Sequence, residues 1–122
     1  MPQWRLPTGA LALESAEGFT PTMQATIVVL GTFREGYASV FAEYSQKVRT
    51  FLAAQGAVVV RRQRIRRTLY GSAQPSLVML IDFPTMDAAE KCFYEREYLD
   101  LIPLRDKVFA DFQMYVAPYG EL

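Results

Sequence analysis

The sequence predicts an α+β domain: one antiparallel sheet of four strands, with helices on one of its faces. Three observations carry that reading. Runs rich in β-branched or aromatic residues recur at 24–33, 57–70, 77–83 and 112–116, with turn signals between them. Between the first two runs, apolar residues recur every three or four positions, which is the mark of an amphipathic helix. The third run, Leu77-Val78-Met79-Leu80-Ile81-Asp82-Phe83, is apolar on both faces and so belongs in the middle of the sheet.

Each element has its own local signals. Residues 1–22 read as an arm punctuated by Pro2, Pro7 and Pro21, in which Thr8 could cap a short helix through Ala10–Glu17 that Gly18 ends. Leu6, Leu11 and Leu13 give this arm something to bury, either on its own domain, on a partner, or as a lid. The domain proper spans 23–119, with 120–122 as a tail. Strand 24–33 stops at Arg34-Glu35-Gly36. A long helix follows, its apolar face made by Tyr37, Val40, Phe41, Tyr44, Val48, Phe51 and Leu52, with Gly56 placed for a left-handed C-cap. The second strand, 57–70, begins Val58-Val59-Val60 and runs into arginines; Gly71 to Pro75 turns the chain into the third strand. Pro84 ends that strand, Thr85 caps the next helix, and Asp87 complements its dipole. Helix continues through Ala88, Ala89 and Cys92, then in pieces from Tyr98 to Phe109 with a break near Pro103. Phe112 to Val116 is the last strand, closed by Pro118.

The resulting order is β-α-β-β-α-β, the split βαβ or ferredoxin-like arrangement. Helices cover only one sheet face, so the other is expected to be covered by a second copy, giving a dimeric α+β barrel.

Composition narrows the chemistry. The 122 residues are 51% hydrophobic and 21% charged, a globular balance and one domain's length. Thirteen basic residues offset thirteen acidic ones, so no net field draws the chain to nucleic acid or membrane. There is no histidine, which excludes a histidine-dependent triad, histidine ligands for zinc or iron, and a proximal histidine for haem. The single cysteine, Cys92, cannot form an intrachain disulfide; set among apolar helix residues, it reads as a buried inert thiol. Neither a metal nor a cofactor is expected. Without a signal core or a spanning stretch, the chain reads as a cytoplasmic protein.

The helix Tyr37-x6-Tyr44-x3-Val48 with its following Gln-Gly, the Phe83-Pro84-Thr85 strand end, Ala88-Ala89, Glu97-Tyr98 and Pro103-Leu104-Arg105 together resemble the domain-of-unknown-function-1330 family. The resemblance covers about two-thirds of the chain. It implies a dimeric α+β barrel, and Arg105 matches the family's arginine. The sequence departs from the family at Cys92-Phe93, at Gln63-Arg64 and at Tyr70-Gly71. The wider superfamily includes cofactor-free monooxygenases, lactone isomerases and polyketide cyclases.

Candidate site residues follow. Arg105 is suited to hold a carboxylate or enolate, or alternatively to pair with Glu97 or Asp106. Tyr44, Tyr94, Tyr98 and Tyr115 are phenols able to donate to a developing oxyanion while their rings pack on an apolar ligand, or simply to fill the core. Asp82, flanked by Ile81 and Phe83, and Glu97 are candidate proton carriers if desolvated. Five of the ten arginines lie within 61–67, with Arg62, Arg64 and Arg66 on one side of the strand and Arg61 and Arg67 on the other. So many arginines require the strand to bulge or to project beyond the core. They read as charges guarding an exposed strand, as an anion site, or least well as a nucleic-acid surface. Arg105, Tyr44 and Asp82 are the expected catalytic residues; Tyr94, Tyr98, Arg62 and Glu97 are the expected substrate contacts.

The function these features favour is a cofactor-free isomerase, cyclase or monooxygenase acting on a small, anionic, largely apolar substrate. A non-catalytic dimeric binding or accessory protein is the alternative. A third reading is an interaction protein that turns its arginine strand toward an acidic partner.

Overall fold

The computed structural model describes residues 22–122. The expected arm, with its Thr8-capped helix, lies outside the described residues apart from Thr22. Strand β1 (Ala25–Phe33) leads into helix α1 (Ala38–Ala54), strand β2 (Val58–Arg64) and strand β3 (Leu77–Phe83). Three short helices follow, α2 (Met86–Cys92), α3 (Arg96–Leu99) and α4 (Ile102–Val108), and then strand β4 (Phe109–Pro118). The sheet is antiparallel throughout, in the order β2-β3-β1-β4, so β3 and β1 are its inner strands. This is the ferredoxin-like α+β fold.

Local chemistry sets the boundaries. At the end of α1, Gly56 takes φ +75°, its N–H bonds the Ala53 carbonyl, and the Ala57 N–H reaches back to Leu52. That pair of bonds is a Schellman cap, and glycine supplies its left-handed residue. Thr85 is extended, and its Oγ1 accepts from the Ala88 N–H at 3.0 Å, with Asp87 in the first turn of α2.

Two expected boundaries move. The second strand stops at Arg64 rather than running to residue 70, because β3, its only ladder partner among the described residues, begins at Leu77, directly opposite Arg64. Ile65 to Ser76 is instead a loop, held by the Ile65 N–H on the Ser76 carbonyl and by the Thr68 hydroxyl on the Ala73 carbonyl. The last strand starts at Phe109, earlier than residue 112. A register shift between Thr32 and Phe33 lets β1 pair with Phe109, ending the helical stretch at Val108.

Alternation divides the sheet. Ala25, Ile27, Val29, Leu77, Ile81 and Phe83 are buried and face the helices. Their neighbours Thr26, Val28, Leu30, Val78, Leu80 and Asp82 face the other side and stay partly exposed. The core is the layer between the sheet and the helices, completed by Tyr44, Val48, Phe51, Leu52, Ala89, Cys92, Tyr98, Val108 and Phe109. Burying that apolar layer is the main stabilising contribution.

Candidate functional site

A cavity of about 240 Å³ lies between α1 and the sheet. Its walls are apolar: Val29, Leu77 and Met79 from the sheet, Phe41, Val48 and Leu52 from α1, and Phe109 and Phe112 from β4. Polar groups reach it from four residues, Tyr44, Ser45, Arg49 and Arg62. Among the described lining residues there is no carboxylate.

Gly31 makes one wall possible. A Cβ built on it would lie 2.6 Å from the Phe109 ring, so the missing side chain is the space that ring occupies. Phe109 is held there by Phe33 on one side, Tyr44 edge-on and Phe112 at 5.1 Å.

The mouth is shaped by a bulge. Between Val59 and Arg61 the pairing of β2 with β3 shifts by one residue. Without the shift, Arg61 would share the helix-facing side with Val59. With it, Arg62 stands opposite Met79 and Arg64 opposite Leu77, both on the side of α1. Arg62 Nη1 donates to Ser45 Oγ at 2.6 Å and its guanidinium lies over the Phe41 ring at 5.6 Å. Arg49 Nη2, one turn along α1, donates to the same Oγ at 3.3 Å. Arg64 instead donates to the Tyr37 hydroxyl at 2.7 Å and covers the stacked Phe33–Tyr37 pair.

At the inner end, Tyr44 Oη lies 3.5 Å from Tyr98 Oη. Tyr98 in turn accepts from Arg105 Nη1 at 3.3 Å. The Arg105 guanidinium lies 4.9 Å from the centre of the Phe112 ring and pairs with Asp106 at 3.4 Å. Burial works against the Arg105 charge, but the bond to Tyr98 and the nearby Asp106 outweigh it, so its pKa rises. Burial, and then Tyr98, push the Tyr44 phenol far above the ordinary phenol range, which keeps it protonated. Burial, and then Glu95, push the Cys92 thiol up to about 12, the behaviour of an inert core cysteine.

The structure therefore brings together Tyr44, Tyr98 and Arg105, and sets Arg62 at the mouth of the cavity that Tyr44 lines. Arg105 and Tyr98 themselves line a second, open cleft of about 500 Å³, with Tyr94 on its rim, 79% exposed. Two expected residues stand apart. Asp82 lies on the sheet face away from the helices, where its carboxylate accepts from Thr26 Oγ1 at 2.6 Å. Glu97 lies in an outer groove beside Lys47 and Thr50. The sequence reading missed Ser45 and Arg49. Their four-residue spacing beside Tyr44 and Val48 is the signal, since it puts two polar groups on the margin of the apolar helix face. Among the described residues, no group of three acidic or cysteine side chains gathers to hold a metal ion.

The element order and the antiparallel sheet define a ferredoxin-like α+β domain. Residues 26–118 match the model of the domain-of-unknown-function family DUF1330, and the chain belongs to that family. No curated protein matches the sequence. Among solved structures, a protein of unknown function from Rhodopseudomonas palustris is similar over 97% of both chains, with 13% identity and a TM-score of 0.67. A dimeric ferredoxin-like protein of unknown function from Bacteroides fragilis is similar over 79% of this chain and 96% of its own, with 10% identity and a TM-score of 0.56. SnoaB, a cofactor-independent oxygenase from Streptomyces nogalater, is similar over 82% of this chain and 96% of its own, with 17% identity and a TM-score of 0.53. At these identities the likeness is one of fold.

Proposed function

We propose that the protein is a cofactor-free enzyme that binds a small, anionic, largely apolar molecule in the α1–sheet cavity and stabilises an oxyanion formed on it. The observation that carries this is the Arg105–Tyr98–Tyr44 chain, which ends at the cavity wall. A guanidinium can only donate, so Tyr98 accepts from Arg105 and passes its own proton toward Tyr44. The Tyr44 proton is then free to point at a ligand oxygen. Because burial keeps Tyr44 protonated, it acts as a donor and not as a base.

The cavity's apolar walls, with the Tyr44 phenol and the Arg62 guanidinium reaching it, fit an enolisable carbonyl compound that carries a negative charge. A base from solvent removes the α-proton, the C–H electron pair becomes the new C=C bond, and the carbonyl pair moves onto oxygen, where Tyr44 donates to it. Isomerase, cyclase and cofactor-independent oxygenase reactions all pass through such an enolate. SnoaB shows that this fold can host the last of these.

Two copies form the working unit in this reading. The outward sheet face offers Val28, Leu30, Val78 and Leu80, all partly exposed in a single chain, and Val58, 51% exposed. The Bacteroides fragilis neighbour is described as dimeric.

Phenylpyruvate carries a ring, a carboxylate and an enolisable ketone, and so tests the proposal. Deuterium exchange at its benzylic carbon, followed by NMR in D2O, should be accelerated by the protein. Tyr44→Phe should cut that acceleration by about 100-fold, as loss of an oxyanion donor does. Binding of phenylpyruvate with no acceleration above buffer would favour the second reading, a non-catalytic binding protein, for which the missing carboxylate in the cavity is the supporting observation.

A further inference from the structure

We infer that Ser45, Arg49 and Arg62 form a carboxylate site at the cavity mouth, so that the ligand is a monocarboxylic acid whose apolar body fills the cavity behind. This inference rests on the cavity reading above and adds the head group and its position.

Two guanidiniums converge on one hydroxyl, at 2.6 Å from Arg62 and 3.3 Å from Arg49. Ser45 itself is 8% exposed, so the meeting point is at the edge of the core and not out in solvent. Like charges held this close repel, and neither guanidinium is among the described cations that a carboxylate compensates, which are Lys47 with Glu43, Lys91 with Asp87, Arg96 with Asp100 and Arg105 with Asp106. Among the described residues, neither Arg49 nor Arg62 has a carboxylate within ion-pair distance. A bound carboxylate would take one oxygen to each guanidinium and relieve that repulsion.

The donors are all side chains. Ser45 and Arg49 lie inside α1, where backbone N–H groups are already bonded within the helix. A planar two-oxygen carboxylate suits such a site better than a phosphate, which usually draws on free backbone amides. The volume limits the body. About 240 Å³ exceeds the 150 Å³ that holds benzene and is below most drug-sized pockets. One substituted ring or a short branched chain fits.

The test uses calorimetric titration with 3-phenylpropanoate, its neutral isostere 3-phenylpropan-1-ol, and 2-phenylethylphosphonate. The wild type should bind the acid at least tenfold more tightly than the alcohol, with the phosphonate weaker than the acid, and added salt should erode the acid's advantage. Arg62→Ala and Arg49→Ala should each bring the acid-to-alcohol ratio close to one, while Arg62→Lys restores part of it and Arg66→Ala, on the outer loop, leaves it unchanged. Val48→Trp, which fills the cavity, should abolish binding of all three. Equal binding of acid and alcohol, both lost in Val48→Trp, overturns the carboxylate site and leaves the cavity reading standing. Failure of all three probes to bind the wild type overturns both. A phosphonate that binds more tightly than the acid overturns the choice of head group. If Arg62→Ala does not fold, Arg49→Ala and the salt titration of the wild type decide the same question.

Discussion

Tyr44 and Tyr98, fifty-four residues apart in the chain, place their hydroxyl oxygens 3.5 Å from each other inside the core, with Arg105 donating to the second. The pair has a consequence for stability at high pH. In the unfolded chain Tyr44 ionises near the ordinary phenol value of about 10, whereas folding raises its pKa. Above that pH the unfolded state binds fewer protons, so stability falls as pH rises, by about 1.4 kcal/mol per unit for one such group. Cys92, pushed up to about 12, adds a second proton to the slope, beginning about one pH unit lower because a free thiol ionises before a phenol. Denaturant melts at pH 8, 10 and 11 should therefore show a loss between the first two, when only the unfolded thiol ionises to any extent, and a steeper loss per pH unit by the third, when the unfolded phenol joins it. Tyr44→Phe should remove the extra steepness above pH 10 and leave the earlier loss in place.

Gly31→Ala should destabilise the domain by about 1–3 kcal/mol, the usual cost of overpacking a tight core. The added Cβ would meet the Phe109 ring at 2.6 Å, and Phe109 is hemmed in by Phe33, Tyr44 and Phe112. Melting temperature reads the effect directly. A companion change, Phe109→Leu in the Gly31→Ala background, should recover part of the loss by making room for the methyl group.

Dimerisation through the open sheet face is checked by light scattering. The wild type should have twice the mass of one chain. Leu80 pairs with Val28 on one side and Arg61 on the other, at the centre of that face. Leu80→Arg should give a folded monomer with an unchanged far-ultraviolet circular dichroism spectrum.

In the proposed reading Arg105 acts through Tyr98 as a positioning residue. Arg105→Ala removes the bond to Tyr98 and the contact with Phe112, and should cost about 1–3 kcal/mol of stability. The readout that separates positioning from mere packing is the exchange rate of phenylpyruvate per folded molecule, expected to fall tenfold or more. Arg105→Lys keeps the charge but not the planar fork, and should restore stability more fully than rate.

Much of the fold was legible because its signals are local. Leu77–Phe83 is a strand of seven residues bounded by turn residues, and Gly56 and Thr85 are caps whose chemistry is written in the residue itself. The errors have non-local causes. Whether Arg66 and Arg67 are in strand depends on where β3 begins, and whether Phe109 is helical depends on a bulge in β4 opposite Thr32 and Phe33. The site was half legible for the same reason. Tyr44 and Val48 could be placed near a cavity from periodicity, but the arrival of Arg62 on the helix side, and its meeting with Ser45, depends on the one-residue shift after Val59. Asp82 illustrates the limit of alternation in a strand apolar on both sides: the pattern gives no sign of which face the carboxylate takes, and the register with Thr26 sets it away from the helices.

The most direct measurement is a crystal structure of the protein with phenylpyruvate bound. The account predicts the ring between α1 and the sheet, the ketone oxygen within hydrogen-bonding distance of Tyr44 Oη, and the carboxylate against Arg62 and Arg49. A ligand seated instead in the open cleft beside Arg105 and Tyr94, with the inner cavity empty, would contradict it.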